Sequence, residues 1–241
     1  METILFLHGW GGGSQSFAPV WKFFEKRFIC LAPSLPMFEA ECAEGGTCES
    51  AQSCPDDWDY KPTKPWTLED YAEFVERFLD DNTVQKCHIV AHSFGARVAV
   101  LLVNRNKARY GRIVLTGAAG IKPRKRLIVL LKIWCYKIRK KLFGAKARGG
   151  SSDYRKLSPV GRRTFQNILN RRLEREISQI CNPTLLIYGK NDKATPPWMG
   201  RKWAKISPVA ELNIYNKSSH FCYIDEPARF NAEVYLFLST G

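Results

Sequence analysis

Residues 91–95 read Ala-His-Ser-Phe-Gly and lie between two apolar runs, His88-Ile89-Val90 before and Val98-Ala99-Val100-Leu101-Leu102-Val103 after. A strand that passes into a helix across a single serine needs a very tight turn, so the residues two before and two after must be small. Ala91 and Gly95 meet that need, and Ala96 leaves room for the helix to pack close. Ser93 is then expected to project its hydroxyl over a sheet edge, at the positive end of the helix that follows. Few folds accommodate such a turn. If the hydroxyl is a nucleophile, the remaining chain must supply a base, an acid and donors for an oxyanion.

The 241 residues, 45 % apolar, suffice for one sizeable α/β domain carrying a small insertion. No apolar run approaches the roughly 18 residues of a membrane span. Met1-Glu2 leads straight into the strand-like Thr3-Ile4-Leu5-Phe6-Leu7, so no signal peptide and a cytoplasmic location are expected. Eight cysteines in that setting read as reduced thiols. Cys30, Cys87, Cys135, Cys181 and Cys222 sit beside apolar residues and are expected to be small buried hydrophobes. Cys42, Cys48 and Cys54 lack the close pairing usual for zinc, so no metal site is expected.

Apolar strand-like runs alternate with helical ones, which implies a mostly parallel sheet of about six strands flanked by helices. Strands are expected at 4–7, 28–32, 87–90, 113–116, 184–189 and 210–215. Helices are expected over 16–26, from Leu68 onward with Thr67 as cap and Asp70 three residues on, over 94–104 and over 227–238. Residues 36–66 read as an irregular acidic loop. Residues 1–121 and 177–241 form the expected core, interrupted by a basic helical cap at 122–176.

A serine hydroxyl is a poor nucleophile at neutral pH and needs a positioned base. Of the four histidines, His88 falls within a strand, His92 inside the turn, and His8 at the end of the first strand. His220 follows the last strand in a loop, where a base can reach Ser93. A carboxylate must orient that base. Asp192 follows the strand at 184–189 in Gly189-Lys190-Asn191-Asp192 and completes the chain order Ser93, Asp192, His220. One oxyanion donor is expected from the amide of Phe94. The other is expected from Trp10, in the glycine-rich loop His8-Gly9-Trp10-Gly11-Gly12-Gly13. One such donor is worth about 3–4 kcal/mol in enzymes where it has been removed. His8 is expected to brace this loop.

These segments, with Ser219-His220-Phe221, resemble the α/β-hydrolase superfamily over nearly the whole chain, in the branch with a His-Gly-x-x-Gly oxyanion loop and a helical cap. The resemblance implies the α/β-hydrolase fold with its N-terminal strands missing. It implies Ser93 as nucleophile, Asp192 as acid, His220 as base, and Trp10 and Phe94 as oxyanion amides, with Trp10 and Phe221 toward substrate. It implies cofactor-free hydrolysis of a small or medium carboxylic ester through an acyl-enzyme. Thioester, amide, lactone and carbon–carbon cleavage share this machinery. A non-catalytic module of the same fold is the rival reading.

The net charge of +14 is uneven: residues 122–176 carry +15 and residues 39–60 carry −7. Within 125–143, Leu127, Leu130, Leu131, Trp134, Ile138 and Leu142 recur at helical spacing among lysines and arginines. A cap helix burying its apolar stripe over the pocket is one reading of this segment. A helix resting on an anionic membrane surface is another. No recognition motif supports nucleic acid. An uncovered sheet edge would be closed by a homodimer.

Overall fold

The computed structural model describes residues 1–36, 62–122 and 157–240. The acidic residues 39–60, the proposed helix at 125–143 and Cys42, Cys48, Cys54 and Cys135 lie outside those residues.

Six strands form one sheet: β1 (Thr3–Leu7), β2 (Ile29–Leu31), β3 (Cys87–His92), β4 (Tyr110–Thr116), β5 (Thr184–Gly189) and β6 (Ala210–Tyr215). Their order is β2-β1-β3-β4-β5-β6, and every pairing is parallel. Parallel strands are joined by helical crossovers that cover both faces, so their sequences stay apolar at successive positions. All five residues of β1 and all six of β3 are buried. Alternation still sorts them: Ile4 and Phe6 enter one hydrophobic cluster, Leu5 and Leu7 the other.

The first cluster lies against α1 (Ala18–Phe24) and the C-terminal helix Pro227–Ser239, through Val20, Phe24, Phe230, Val234 and Leu238. The second is filled by α2 (Leu68–Asp81) and α3 (Phe94–Arg105). The expected apolar face of α2 (Leu68, Tyr71, Phe74, Val75, Phe78 and Leu79) is buried throughout. Its capping box forms as read: the Asp70 amide donates to Thr67 Oγ1 at 3.3 Å and the Thr67 amide to Asp70 Oδ2 at 2.6 Å. The helix expected over 16–26 is instead a 3-10 turn, Ser14–Phe17, followed by α1. Pro19 explains the break, because it lacks an amide and is tolerated only in a first helical turn. Cys30, Cys87 and Cys222 are buried as expected, but Cys181 is exposed. It stands in the approach to β5, with its Sγ 3.5 Å from Lys107 Nζ.

The described end of the basic segment forms α4 (Pro159–Asn170) and α5 (Glu174–Ser178). Ile168, Leu173 and Ile177 join the α3 side of the core, while Arg162 and Arg163 stay exposed. Next come α6 (Pro197–Ile206) and, after β6, the short α7 (Cys222–Asp225) ahead of α8 (Pro227–Ser239).

The chain runs from β1 outward to β2, then returns to the other side of β1 as β3. Ligands of open α/β sheets bind at the carboxyl ends of the strands where the order reverses. Here that point brings the loop after β1 beside the turn after β3. A methyl group on Gly95 would sit 2.2 Å from the Leu7 carbonyl oxygen, so α3 meets β1 through bare backbone. Gly95→Ala is therefore expected to destabilise the fold by about 1–3 kcal/mol, checked by urea unfolding against wild type.

Candidate functional site

Ser93 separates β3 from α3 with φ 50° and ψ −106°, a left-handed conformation that costs a non-glycine residue about 1–3 kcal/mol. The surroundings impose it. Its amide donates to the Thr116 carbonyl at 3.0 Å, and its carbonyl accepts from the Ala119 amide at 3.1 Å. Ala91 and Ala96 are fully buried, as so tight a junction requires. Phe94 is the first residue of α3, where N–H groups point out of the helix end.

Asp192 lies in the turn after β5, its side chain almost wholly buried. The amides of Ala194 and Thr195 each donate to Oδ1 at 2.8 Å, and the Thr195 hydroxyl reaches Oδ2 at 2.8 Å. His220 Nδ1 lies 2.7 Å from Oδ2. A carboxylate can only accept, so Nδ1 carries the proton and Nε2 is left as the basic nitrogen. Burial pushes the Asp192 carboxyl up. The hydrogen bonds from His220 and from the Thr195 amide, with the His220 charge and the Thr195 hydroxyl, outweigh burial and hold it below its usual range. Sequence reasoning does not single out Thr195. Its signal is the Asp-x-x-Thr turn, in which an aspartate accepts from amides two and three residues on.

The loops carrying Asp192 and His220 are bound to each other. The Asn191 amide donates to the Ser218 carbonyl at 3.1 Å, and a Cβ on Gly189 would fall 1.9 Å from the Ser219 carbonyl oxygen. Asp225 Oδ2 accepts from the Ser219 amide at 2.7 Å, and Glu226 Oε1 from the Ser218 hydroxyl at 2.7 Å. The His220 ring packs beside Gly117, where φ is +53° and an added Cβ would lie 3.2 Å from the ring. Ser93 hydrogen-bonds to both ends of this 116–119 segment. Among the described residues no hydrogen bond joins the Ser93 hydroxyl to His220. Catalytic contacts of this kind commonly tighten when a substrate seats.

Two further histidines buttress the site without charge. His92 Nε2 donates to the His220 carbonyl at 3.1 Å, and its ring lies 4.6 Å from the His220 ring. Burial, then the nearby His220, lowers His92 to a pKa of about 3. His8 Nδ1 donates to the Gly9 carbonyl at 2.9 Å, while Nε2 accepts from the Leu35 amide at 2.9 Å. Burial lowers His8 to about 4. His8 braces the loop after β1, as read from the sequence.

That loop turns through a Gly12 amide to Gly9 carbonyl bond of 3.1 Å, with Gly11 at φ +75°, where a turn of this kind takes glycine. Gly9 packs flat on the elbow: a Cβ there would meet the His92 ring at 2.7 Å and Ser93 Cβ at 3.3 Å. Trp10 is partly buried, edge-on to Phe94 at 5.7 Å and 4.8 Å from the Phe165 ring. Tyr71 continues the wall at 5.0 Å from Phe94. Phe221 is 43 % exposed beside His220, its ring 4.9 Å from that of His92. The structure thus brings Ser93, Phe94 and Trp10 to one switch point and joins Asp192 to His220, with Phe221 at the rim. No group of three metal-ligating side chains occurs among the described residues.

Comparison with known proteins gives a consistent picture. The model of the alpha/beta hydrolase family matches residues 4–233. The chain is 22 % identical over 269 residues to a 2-hydroxy-6-oxononadienedioate/2-hydroxy-6-oxononatrienedioate hydrolase of Cupriavidus pinatubonensis, covering 98 % of this chain and 86 % of that protein. The fold is similar to the enol-lactonase of Burkholderia xenovorans LB400, with TM-score 0.72, 20 % identity and coverage of 99 % and 91 %. It is also similar to a meta-cleavage product hydrolase of Pseudomonas fluorescens IP01, with TM-score 0.68, 20 % identity and coverage of 99 % and 90 %.

His8 and His92 resist protonation in the fold down to about pH 4 and 3, whereas the unfolded chain takes up both protons near 6.5. The unfolded state binds more protons in that window, so stability falls as pH drops from about 6.5 toward 4. The loss is on the order of 3 kcal/mol for each ring. Asp192, held low in the fold, adds to the loss as pH falls through the carboxylate range. Urea midpoints measured from pH 7 to 4 should decline steadily, and less steeply in His8→Asn. A midpoint independent of pH would contradict the assignment.

Proposed function

Because the chain belongs to the alpha/beta hydrolase family, we propose that it is a serine hydrolase acting on a small or medium carboxylic ester. The observation that carries this reading is the 2.7 Å pairing of His220 Nδ1 with buried Asp192, set against a serine held at φ 50°. In this reading His220 Nε2 takes the Ser93 proton as Oγ attacks the carbonyl carbon. The amides of Trp10 and Phe94 receive the developing oxyanion. His220 then returns the proton to the leaving alcohol. Water, deprotonated by the same nitrogen, attacks the acyl-enzyme and releases the acid.

Asp192 has two tasks. It fixes the imidazole tautomer, and it compensates the imidazolium that forms at the transition state. Thr195 supports the first, because its amide on Oδ1 and its hydroxyl beside Oδ2 hold the carboxylate in one orientation toward His220. Cleavage of a carbon–carbon bond beside a ketone uses the same groups, and the names of the relatives favour it as a second reading. A 2-hydroxy-6-oxo-dienoate separates the two readings: turnover would bleach its visible absorbance, whereas a pure esterase would leave it intact.

Hydrolysis of p-nitrophenyl esters, acetate through octanoate, should show turnover in wild type and none in Ser93→Ala. Asp192→Asn should lower kcat about 10⁴-fold. Thr195→Val should lower kcat about tenfold with little change in KM, as expected for loss of one hydrogen bond to a charged group. If no ester or dienoate turned over and a fluorophosphonate failed to label Ser93, a non-catalytic module would be the better description.

A further inference from the structure

At the end of the sheet opposite the elbow, the amino ends of β1, β3, β4 and β5 frame a cavity of about 650 Å³. Cavities that take a small organic ligand run to about 300–1,000 Å³. Three cationic side chains from separate segments line it: Lys86 ahead of β3, Lys107 between α3 and β4, and Arg112 in β4. Glu2 is the one carboxylate lining it among the described residues. None of the three cations forms an ion pair among the described residues, although Arg105 and Arg109, to either side of Lys107, pair with Glu76 and Asp80. Like charges gathered without a partner repel one another, and a bound anion relieves that repulsion.

The surrounding structure holds these groups in place. The Arg112 guanidinium carbon lies 5.2 Å from the centre of the Phe237 ring on α8, a contact that fixes the cation without neutralising it. Lys107 Nζ lies 3.5 Å from Cys181 Sγ. Asn182 Nδ2 donates to the Lys107 and Gly111 carbonyls at 3.1 and 3.2 Å, tying the segment ahead of β4 to the approach to β5. A Cβ on Gly111 would fall 2.8 Å from His88 Nδ1, so the imidazole lies against bare backbone. His88 Nδ1 accepts from the Arg112 amide at 2.9 Å, and the neutral ring therefore carries its proton on Nε2, 3.6 Å from Glu2 Oε2. Burial lowers the His88 pKa, Glu2 opposes it, and the charges of Arg112 and Lys86 add to the lowering. Both cations thus act on a ring that lines the cavity.

We propose that this cavity binds a small organic dianion, with Lys86, Lys107 and Arg112 holding its charge and Ala108, Pro183 and Leu238 meeting an apolar body. Three cations set against one carboxylate leave two positive charges uncompensated. A phosphate monoester or a dicarboxylate matches that excess, and a monoanion does not. The site lies at the opposite end of β3 from Ser93, so it stands whether or not Ser93 is a nucleophile, and it gives the protein a second ligand.

The test is calorimetric titration of the full chain with phenyl phosphate and with phthalate at neutral pH and low salt. Benzoate and benzyl alcohol serve as monoanionic and neutral controls. At least one dianion should bind about tenfold more tightly than benzoate, benzyl alcohol should not bind, and affinity should fall as salt rises. Whichever dianion binds assigns the charged group as phosphate monoester or dicarboxylate. Arg112→Gln should weaken binding about tenfold, as expected for loss of one hydrogen bond to a charged group. Lys86→Gln and Lys107→Gln should each weaken it severalfold, and if Arg112→Gln fails to fold these two exposed lysines carry the same test. Arg201→Gln, which removes an exposed cation on α6 outside the cavity, should leave binding unchanged. A bound dianion should also raise the His88 pKa, because it offsets Arg112 and Lys86. The ring C–H resonances of the four histidines report this by NMR, with His88→Gln giving the assignment. Equal weakening by Arg201→Gln would mean attraction to the net charge of +14 alone and overturns the proposal. Binding that leaves His88 unmoved, or no binding of either dianion, overturns it as well.

Discussion

The close contact of bare backbone between α3 and the end of β1 is the constraint on which the remaining geometry hangs. With a Cβ on Gly95 only 2.2 Å from the Leu7 carbonyl oxygen, α3 can start where it does only if that residue has no side chain. The chain must then turn from strand to helix within one residue, and Ser93 takes the left-handed conformation that such a turn demands. Gly9 repeats the device from the other side, lying flat against the His92 ring. One glycine in the loop after β1 and one in the first turn of α3 thus bring that loop and the elbow into contact. The strain at Ser93 is sustained by burial on both faces of the sheet around it.

Electrostatics near the elbow follows from the same exclusion of water. His8 and His92 are buried, and for His92 burial outweighs the pull of the nearby Asp192 charge, so they stay neutral and serve as hydrogen-bonding braces. Asp192 is buried with four donor contacts and stays ionised. Two neutral histidines and one ionised carboxylate therefore lie within one cluster, each state set by its surroundings. His220 pairs with the Asp192 carboxylate through Nδ1, which leaves Nε2 as its basic nitrogen.

The fold is legible in the sequence wherever a local pattern has a single physical solution. Six apolar runs with helical spacers could form only a parallel sheet, and all six strands occur at or within a few residues of their expected positions. The Thr67–Asp70 capping box and the small residues around Ser93 are equally direct. Expectation and structure part where tertiary packing decides the outcome. Pro19 splits one helix in two, and Cys181, next to apolar Ile180, is exposed ahead of β5 rather than in the core.

By itself, then, the sequence determined the strand order along the chain, the serine turn, and the candidate acid and base, because each depends on residue type at short range. Apart from the local Asp-x-x-Thr turn, tertiary structure decided which groups hold them. Thr195 on Asp192, His92 on the His220 carbonyl, and Arg97 on the end of α4 span 3, 128 and up to 74 residues. The last two of these contacts exist because folding brings distant segments together, the His220 loop to the elbow and the end of α4 to α3. Even the short one depends on His220 arriving to complete the carboxylate's shell. A side chain's partner at such range is set by how the strands register and how the helices pack, and no local pattern encodes it.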